Sequence, residues 1–217
     1  MKKTIRRIVL SKTYRQTAIV SPQRRALDPE NELYSRGPRN RLTAELIRDN
    51  ALAVSGLLSD KMFGTPVRPV QPAKVWRVIG EVDNRYYLSE GEDLYRRGIY
   101  TIWRRSAHYP SFANFDAPNR GACTVQRQSS NTPLQALTLM NDPAYVEMAK
   151  ALAERIAAGE SGGAIDGQLV HAFRLATGRQ PKSEERLALK EIYAAAGEDP
   201  WFDVATTLLN LHETITK

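Results

Sequence analysis

The chain has 217 residues and a mass of 24.4 kDa; 42% of its residues are hydrophobic and 25% charged, which excludes a disordered polyelectrolyte. A single cysteine excludes an intrachain disulfide framework, a cysteine-built zinc cage and c-type haem attachment, which needs a Cys-x-x-Cys-His run. No apolar run approaches the roughly eighteen residues of a spanning helix, and the net charge of +7 leaves a basic, globular chain.

Residues 1–10 begin with a positive stretch, but the apolar run Ile8-Val9-Leu10 is too short for the core of a signal peptide. Ile5, Ile8 and Val9 fall at helical spacing and predict a short amphipathic helix. Residues 19–41, with Pro22, Pro29, Gly37 and Pro38, read as an extended loop. From Leu42 to Leu58 the apolar positions recur at intervals of three and four and predict a helix, closed near Gly64. Pro66, Pro69 and Pro72 then favour polyproline-like chain. Residues 75–103, rich in Val, Ile, Tyr and Trp, predict one or two β-hairpins, and 104–131 is irregular.

Beyond residue 131 the pattern is helical. Thr132-Pro133, Asp142-Pro143 and Asp199-Pro200 each set a capping side chain before a proline at the first helical position, where a missing N–H costs nothing. Gly178 reads as the glycine that ends a helix near Leu169–Thr177. Stripes at Tyr145, Met148, Ala149, Leu152 and Ile156, at Leu189, Ile192, Tyr193 and Ala196, and at Val204, Leu208, Leu211 and Ile215 read as packing core. Gly159–Gly163 is a flexible connector. The expected fold is mainly α-helical, with a minor β-hairpin region at about 75–105. The expected division is a main part, 1–159, and a C-terminal helical subdomain, 160–217.

Charge is uneven: residues 1–50 carry +7, 51–130 carry +4 and 131–217 carry −4, and Arg outnumbers Lys 22 to 9. Guanidinium groups bind carboxylates, sulfates and phosphates with two prongs. Acidic residues interleave with the basic ones over most of the chain and no recognised nucleic-acid motif occurs, so internal pairing is the favoured reading over nucleic-acid binding. Glu90-Gly-Glu-Asp-Leu-Tyr-Arg-Arg97 is the densest polar cluster. Glu92 and Asp93, with Asp116 and His108, are the candidate catalytic groups. The competing reading pairs Glu92 or Asp93 with Arg96, Arg97, Arg104 or Arg105. Cys123 reads as a small buried hydrophobe, with a Cys123–His108 nucleophile pair as the alternative. His171 and His212 lack partners at metal-ligand spacing, so no metal site is expected.

Six segments in order carry a resemblance: Ile8-Val-Leu-Ser-Lys-Thr-Tyr-Arg-Gln16, Gly91-Glu-Asp-Leu-Tyr-Arg-Arg97, Phe115-Asp-Ala-Pro118, Asn131-Thr-Pro-Leu-Gln-Ala-Leu137, Asn141-Asp-Pro143 and Leu208-Leu-Asn-Leu211. Together they resemble domain of unknown function 1553, the C-terminal domain of large planctomycete proteins that also carry cytochrome-c-like modules. The positions that match are Tyr14, Arg15, Gln16, Glu92, Asp93, Arg96, Arg97, Asp116, Arg127 and Asn131. The resemblance implies an exported, multidomain setting, in the periplasm or at the cell surface; residues 1–10 carry no signal peptide, so the residues by themselves read as cytoplasmic or of unassigned location. It implies no cofactor in this chain, with haem held by an upstream module. Because Met1 falls inside the family's Tyr-Arg-Gln helix, the chain is expected to be an N-terminally truncated copy. The expected function is an interaction or scaffolding module whose partners are upstream domains or other proteins. The alternatives are an enzyme acting on complex or sulfated glycans through the Glu/Asp–Arg cluster, with acidic glycans as ligands, and a basic nucleic-acid-binding protein.

Overall fold

The computed structural model describes residues 1–73, 75, 86–159 and 164–216. They fall into two compact units, Met1–Arg41 with Thr216, and Leu42–Ile215.

In the first unit, α1 (Lys2–Val9) forms where the apolar spacing predicts it. Residues 19–41, expected as loop throughout, contain a second helix, α2 (Pro22–Leu27). Its cause is local: Ser21 Oγ accepts a hydrogen bond from the Arg24 N–H at 3.3 Å, and Pro22 occupies the first helical position. The remaining chain is tied by polar contacts. Gln16 Nε2 donates to the Tyr34 carbonyl at 2.8 Å, and Arg36 Nη1 donates to the Asp28 carbonyl at 2.6 Å. A Cβ at Gly37 would lie 2.5 Å from the Gln16 carbonyl oxygen, so only glycine permits that crossing. Among the described residues of this unit, no large apolar side chain is buried.

The second unit holds α3 (Ala44–Ser55), α4 (Pro110–Asn114), α5 (Pro133–Asn141), α6 (Pro143–Ala157), α7 (Ile165–Thr177), α8 (Ser183–Ala195) and α9 (Pro200–Asn210). α6 is its axis, packed by α9, α3, α5 and α7. Leu152 and Ile156 of α6, Leu169 of α7, and Val204 and Leu208 of α9 are fully buried in one core. Each such side chain contributes about 1.5–3 kcal/mol through lost water contact. The helices on both sides of residues 160–163, which lie outside the described residues, therefore share that core.

The expected cap signals are present. Asp142 Oδ1 accepts from the Ala144 N–H at 2.9 Å, Asp199 Oδ1 accepts from the Phe202 N–H at 3.1 Å, and Gly178 closes α7 at φ +80°. α3, however, ends at Gly56 (φ +82°), not near Gly64: the left-handed Gly56 turns the chain so that the Leu57 N–H reaches the Leu52 carbonyl at 2.9 Å.

The β-hairpin expectation fails in the described part of 75–105; Lys74 and residues 76–85 lie outside it. Residues 86–105 instead form two 3-10 turns, Gly91–Tyr95 and Gly98–Tyr100, and isolated bridges Ser59↔Arg96, Val67↔Thr101 and Arg104↔Ala107. The aromatic residues that suggested strands are used by their hydroxyls instead: Tyr100 Oη accepts from the Phe63 N–H at 2.9 Å, and Tyr95 Oη donates to Glu147 at 2.6 Å. Among the described residues, no helix is long and apolar enough to cross a membrane.

Candidate functional site

α3 carries Glu45, Arg48 and Asp49, spaced three and four apart and hence on one side of the helix. All three reach other segments of the same unit. Gly98 brings the neighbouring chain against α3 so closely that a Cβ there would lie 2.9 Å from the Glu45 carbonyl oxygen. Asp49 then receives the Gly98 N–H at 2.5 Å and Arg97 Nε at 3.3 Å. Glu45 takes a two-pronged bond from Arg127, at 2.7 and 3.1 Å. Burial pushes the Glu45 carboxyl up, but Arg127, the residue's own backbone N–H and the Thr43 hydroxyl outweigh it and hold the group below its ordinary range.

Arg48 is 3% exposed and donates to the Leu94 carbonyl at 2.7 Å, while its Nε has no hydrogen-bond partner among the described residues. Its charge acts on buried Tyr109, Tyr145 and Asp142. Burial drives the Tyr109 hydroxyl strongly up and the Tyr145 hydroxyl to about 12, so neither supplies a base near neutral pH. Burial also raises Asp142, against the opposing pull of the Ala144 N–H and Arg48.

Among the described residues Arg96 is the most deeply placed arginine, 1% exposed. Its guanidinium donates to the carbonyls of Thr65, at 3.2 Å, and Phe63, and lies 3.9 Å over the Tyr100 ring. Asp93 sits 3.9 Å from Arg96 Nη1 but makes its closer pair with Lys61, at 2.9 Å. Lys61 is raised first by its hydrogen bond to Asp93. Glu92 accepts from Ser59 Oγ at 3.2 Å and lies 3.6 Å from Lys61.

The candidate catalytic residues have separate partners. Asp116, at φ +60°, accepts from the Ser130 N–H at 2.7 Å and the Ser130 hydroxyl at 2.8 Å, pinning the turn before α5. His108 stacks on Trp103 with ring centroids 5.3 Å apart, and its Nε2 is buried without a hydrogen-bond partner among the described residues. Among those residues no hydrogen bond or ion pair joins Asp116 or His108 to Glu92 or Asp93. Cys123 is exposed, contrary to the buried-hydrophobe reading, because its Ala and Val neighbours lie in an open loop rather than a packed element. That loop borders an open depression of about 570 Å³ lined by Arg120, Cys123 and Arg127 among others. No group of three His, Cys, Asp or Glu suited to a metal occurs among the described residues.

Of the other matching positions, Gln16 ties the first unit together, Tyr14 and Arg15 are exposed there, and Asn131 precedes the Thr132 cap of α5. Sequence reasoning missed Glu45, Arg48, Asp49 and Lys61. Three charges within five residues of an otherwise apolar-striped helix were the available signal for the first three.

Fold and site together define a mainly α-helical protein whose arginines and carboxylates form an internal brace between α3 and residues 91–98. The chain belongs to the PSD1 family, described as proteins of unknown function (DUF1553), whose profile matches residues 1–193. No curated protein and no solved structure is significantly similar to it.

Proposed function

We propose that this chain is a non-catalytic interaction module of an exported multidomain protein, working beside cytochrome-c-like domains. The observation that carries the reading is the use made of the matching charged residues. Arg97 is bound to Asp49, Arg127 to Glu45, Arg96 to two backbone carbonyls, and Asp116 to Ser130. A general acid or base needs a proton-transfer partner in an accessible cleft, whereas these groups are engaged by other side chains or by backbone of the same unit. Such a brace holds a surface in shape for recognition.

The test has two arms. The chain is incubated with sulfated and neutral polysaccharides, and reducing ends are measured beside a Glu92→Gln/Asp93→Asn variant. Equal, background-level release is expected; turnover lost in the variant would establish the glycan-enzyme reading instead. In the second arm, a cytochrome-c-like module from a family member is titrated into the chain by calorimetry. Saturable heat is expected, and its absence removes the haem-domain association.

A further inference from the structure

The first unit has a surface that nothing in it covers. Residues 1–27 hold eight basic side chains and no acidic one. α1 exposes Ile5 and Ile8 at 53% each and Val9 at 38%, on one flank of two turns. Lys2, Lys3, Thr4, Arg6 and Arg7 occupy the remainder of that helix. An open concavity of about 420 Å³ is lined by Lys3, Arg6, Arg7 and Leu10. Beyond the helix, Ile19, Leu27 and Leu33 are 83%, 82% and 77% exposed. A folded segment of this length without an apolar core has no burial term to offset its ordering entropy. Exposed apolar groups gathered on one helix flank, as Ile5, Ile8 and Val9 are, mark a binding surface.

We infer that α1 and the chain following it form a docking surface for an acidic amphipathic polypeptide segment, one that sets an apolar ridge against Ile5, Ile8 and Val9 and carboxylates against Arg6 and Arg7. This rests on the interaction-module reading and deepens it by naming the surface and the partner chemistry. The charge is complementary to carboxylates: five of the eight cations in residues 1–27 are Arg, whose fork matches a carboxylate with two parallel bonds. A lipid surface fits less well. Residues 1–41 contain no Trp or Phe, the side chains that seat interfacial helices, and α1 has only eight residues. Nucleic acid would leave Ile5, Ile8 and Val9 without a role.

The experiment uses the full chain and a synthetic helix of about 20 residues, long enough for several turns, with Leu at i, i+3, i+4, i+7 spacing and Glu between. A scrambled peptide of the same composition, vesicles of phosphatidylserine and phosphatidylcholine, and duplex DNA are parallel arms. Hydrogen exchange locates the contact and fluorescence anisotropy measures affinity. Binding of the striped peptide is expected, with protection in residues 2–10. Ile5→Ser/Ile8→Ser, Arg6→Glu/Arg7→Glu and the scrambled peptide should each weaken it by about tenfold or more, or 1.4 kcal/mol. Equal binding of the scrambled peptide, tighter binding of vesicles or DNA, or self-association that protects α1 in the free chain would each overturn the proposal. Protection confined to residues 42–215 would refute this surface yet leave the interaction reading standing. Glycan turnover dependent on Glu92 and Asp93 would remove that reading itself.

Discussion

Arg96→Ala is the sharpest probe of whether the motif arginines brace the fold. The side chain is 1% exposed, donates to the Thr65 and Phe63 carbonyls, and stacks on Tyr100. A hydrogen bond to a charged group is worth about 1.5–3 kcal/mol, so the two carbonyl contacts amount to roughly 3–6 kcal/mol gross. The buried Nε, which has no hydrogen-bond partner among the described residues, offsets part of that. Truncation also leaves a cavity and two desolvated carbonyls. The expected net loss is about 3–5 kcal/mol, the range for breaking a buried charged contact. At about 2–4 °C per kcal/mol for a domain of this size, the melting temperature should fall by roughly 6–20 °C. Urea unfolding followed by circular dichroism at 222 nm measures it. Arg96→Lys keeps the charge but not the fork, so it should lose less, about 1–3 kcal/mol. It also keeps the test alive if the alanine variant fails to fold. An alanine variant within about 1 kcal/mol of the parent would refute the bracing role.

Arg179 grips Glu185 at 2.6 and 2.8 Å and Glu213 at 2.7 and 2.8 Å, and its hydrogen bond holds the Glu185 carboxyl down at about 2. Because the folded value is depressed, this stabilisation is present above about pH 4.5, the ordinary value, and fades as pH falls towards 2. Arg179→Met should flatten that part of a urea-midpoint-against-pH curve, and parallel curves would count against the node. Gly98→Ala should destabilise by about 1–3 kcal/mol by driving a Cβ into Glu45 backbone, whereas Gly197→Ala, with open space around it, should be neutral or slightly stabilising in the same thermal melt. Leu152→Ala, at the fully buried centre of α6, should cost about 2–5 kcal/mol, and Leu187→Ala, 58% exposed on α8, under about 0.5 kcal/mol. Denaturation midpoints that fail to separate the Leu152 and Leu187 variants would remove α6 from its axial place.

The helices after residue 131 were legible because their signals are local. A capping Asp, a following proline and a stripe at three and four act within one or two turns, and Asp142, Asp199 and Gly178 behave as those rules require. Ser21-Pro22 obeys the same rule, but the scattered prolines around it mask the signal. In residues 86–105 the hairpin expectation failed because aromatic and β-branched content reports only that a segment will be half-buried. In residues 86–105 that burial is met by side-chain contacts of Tyr95, Arg96 and Tyr100 rather than by a ladder. Arg–carboxylate pairing was expected from composition, yet the partners assigned from sequence were neighbours. Of these, only Asp93–Arg96 appears among the described pairs, and at 3.9 Å.

By itself, then, the sequence determined the helical class, the proline-marked starts of α5, α6 and α9, the family, and the balance of a basic front against an acidic tail. Those properties depend on interactions a few residues apart or on simple sums of charge. Tertiary structure alone decided which cation meets which anion: Glu45 pairs with Arg127, 82 positions away, and Asp49 with Arg97, 48 away. The strength of an ion pair depends on distance and burial, and both are set only when α3 and residues 91–98 pack together. Arg96 likewise leaves water only through contacts distant in sequence, with the Thr65 and Phe63 carbonyls.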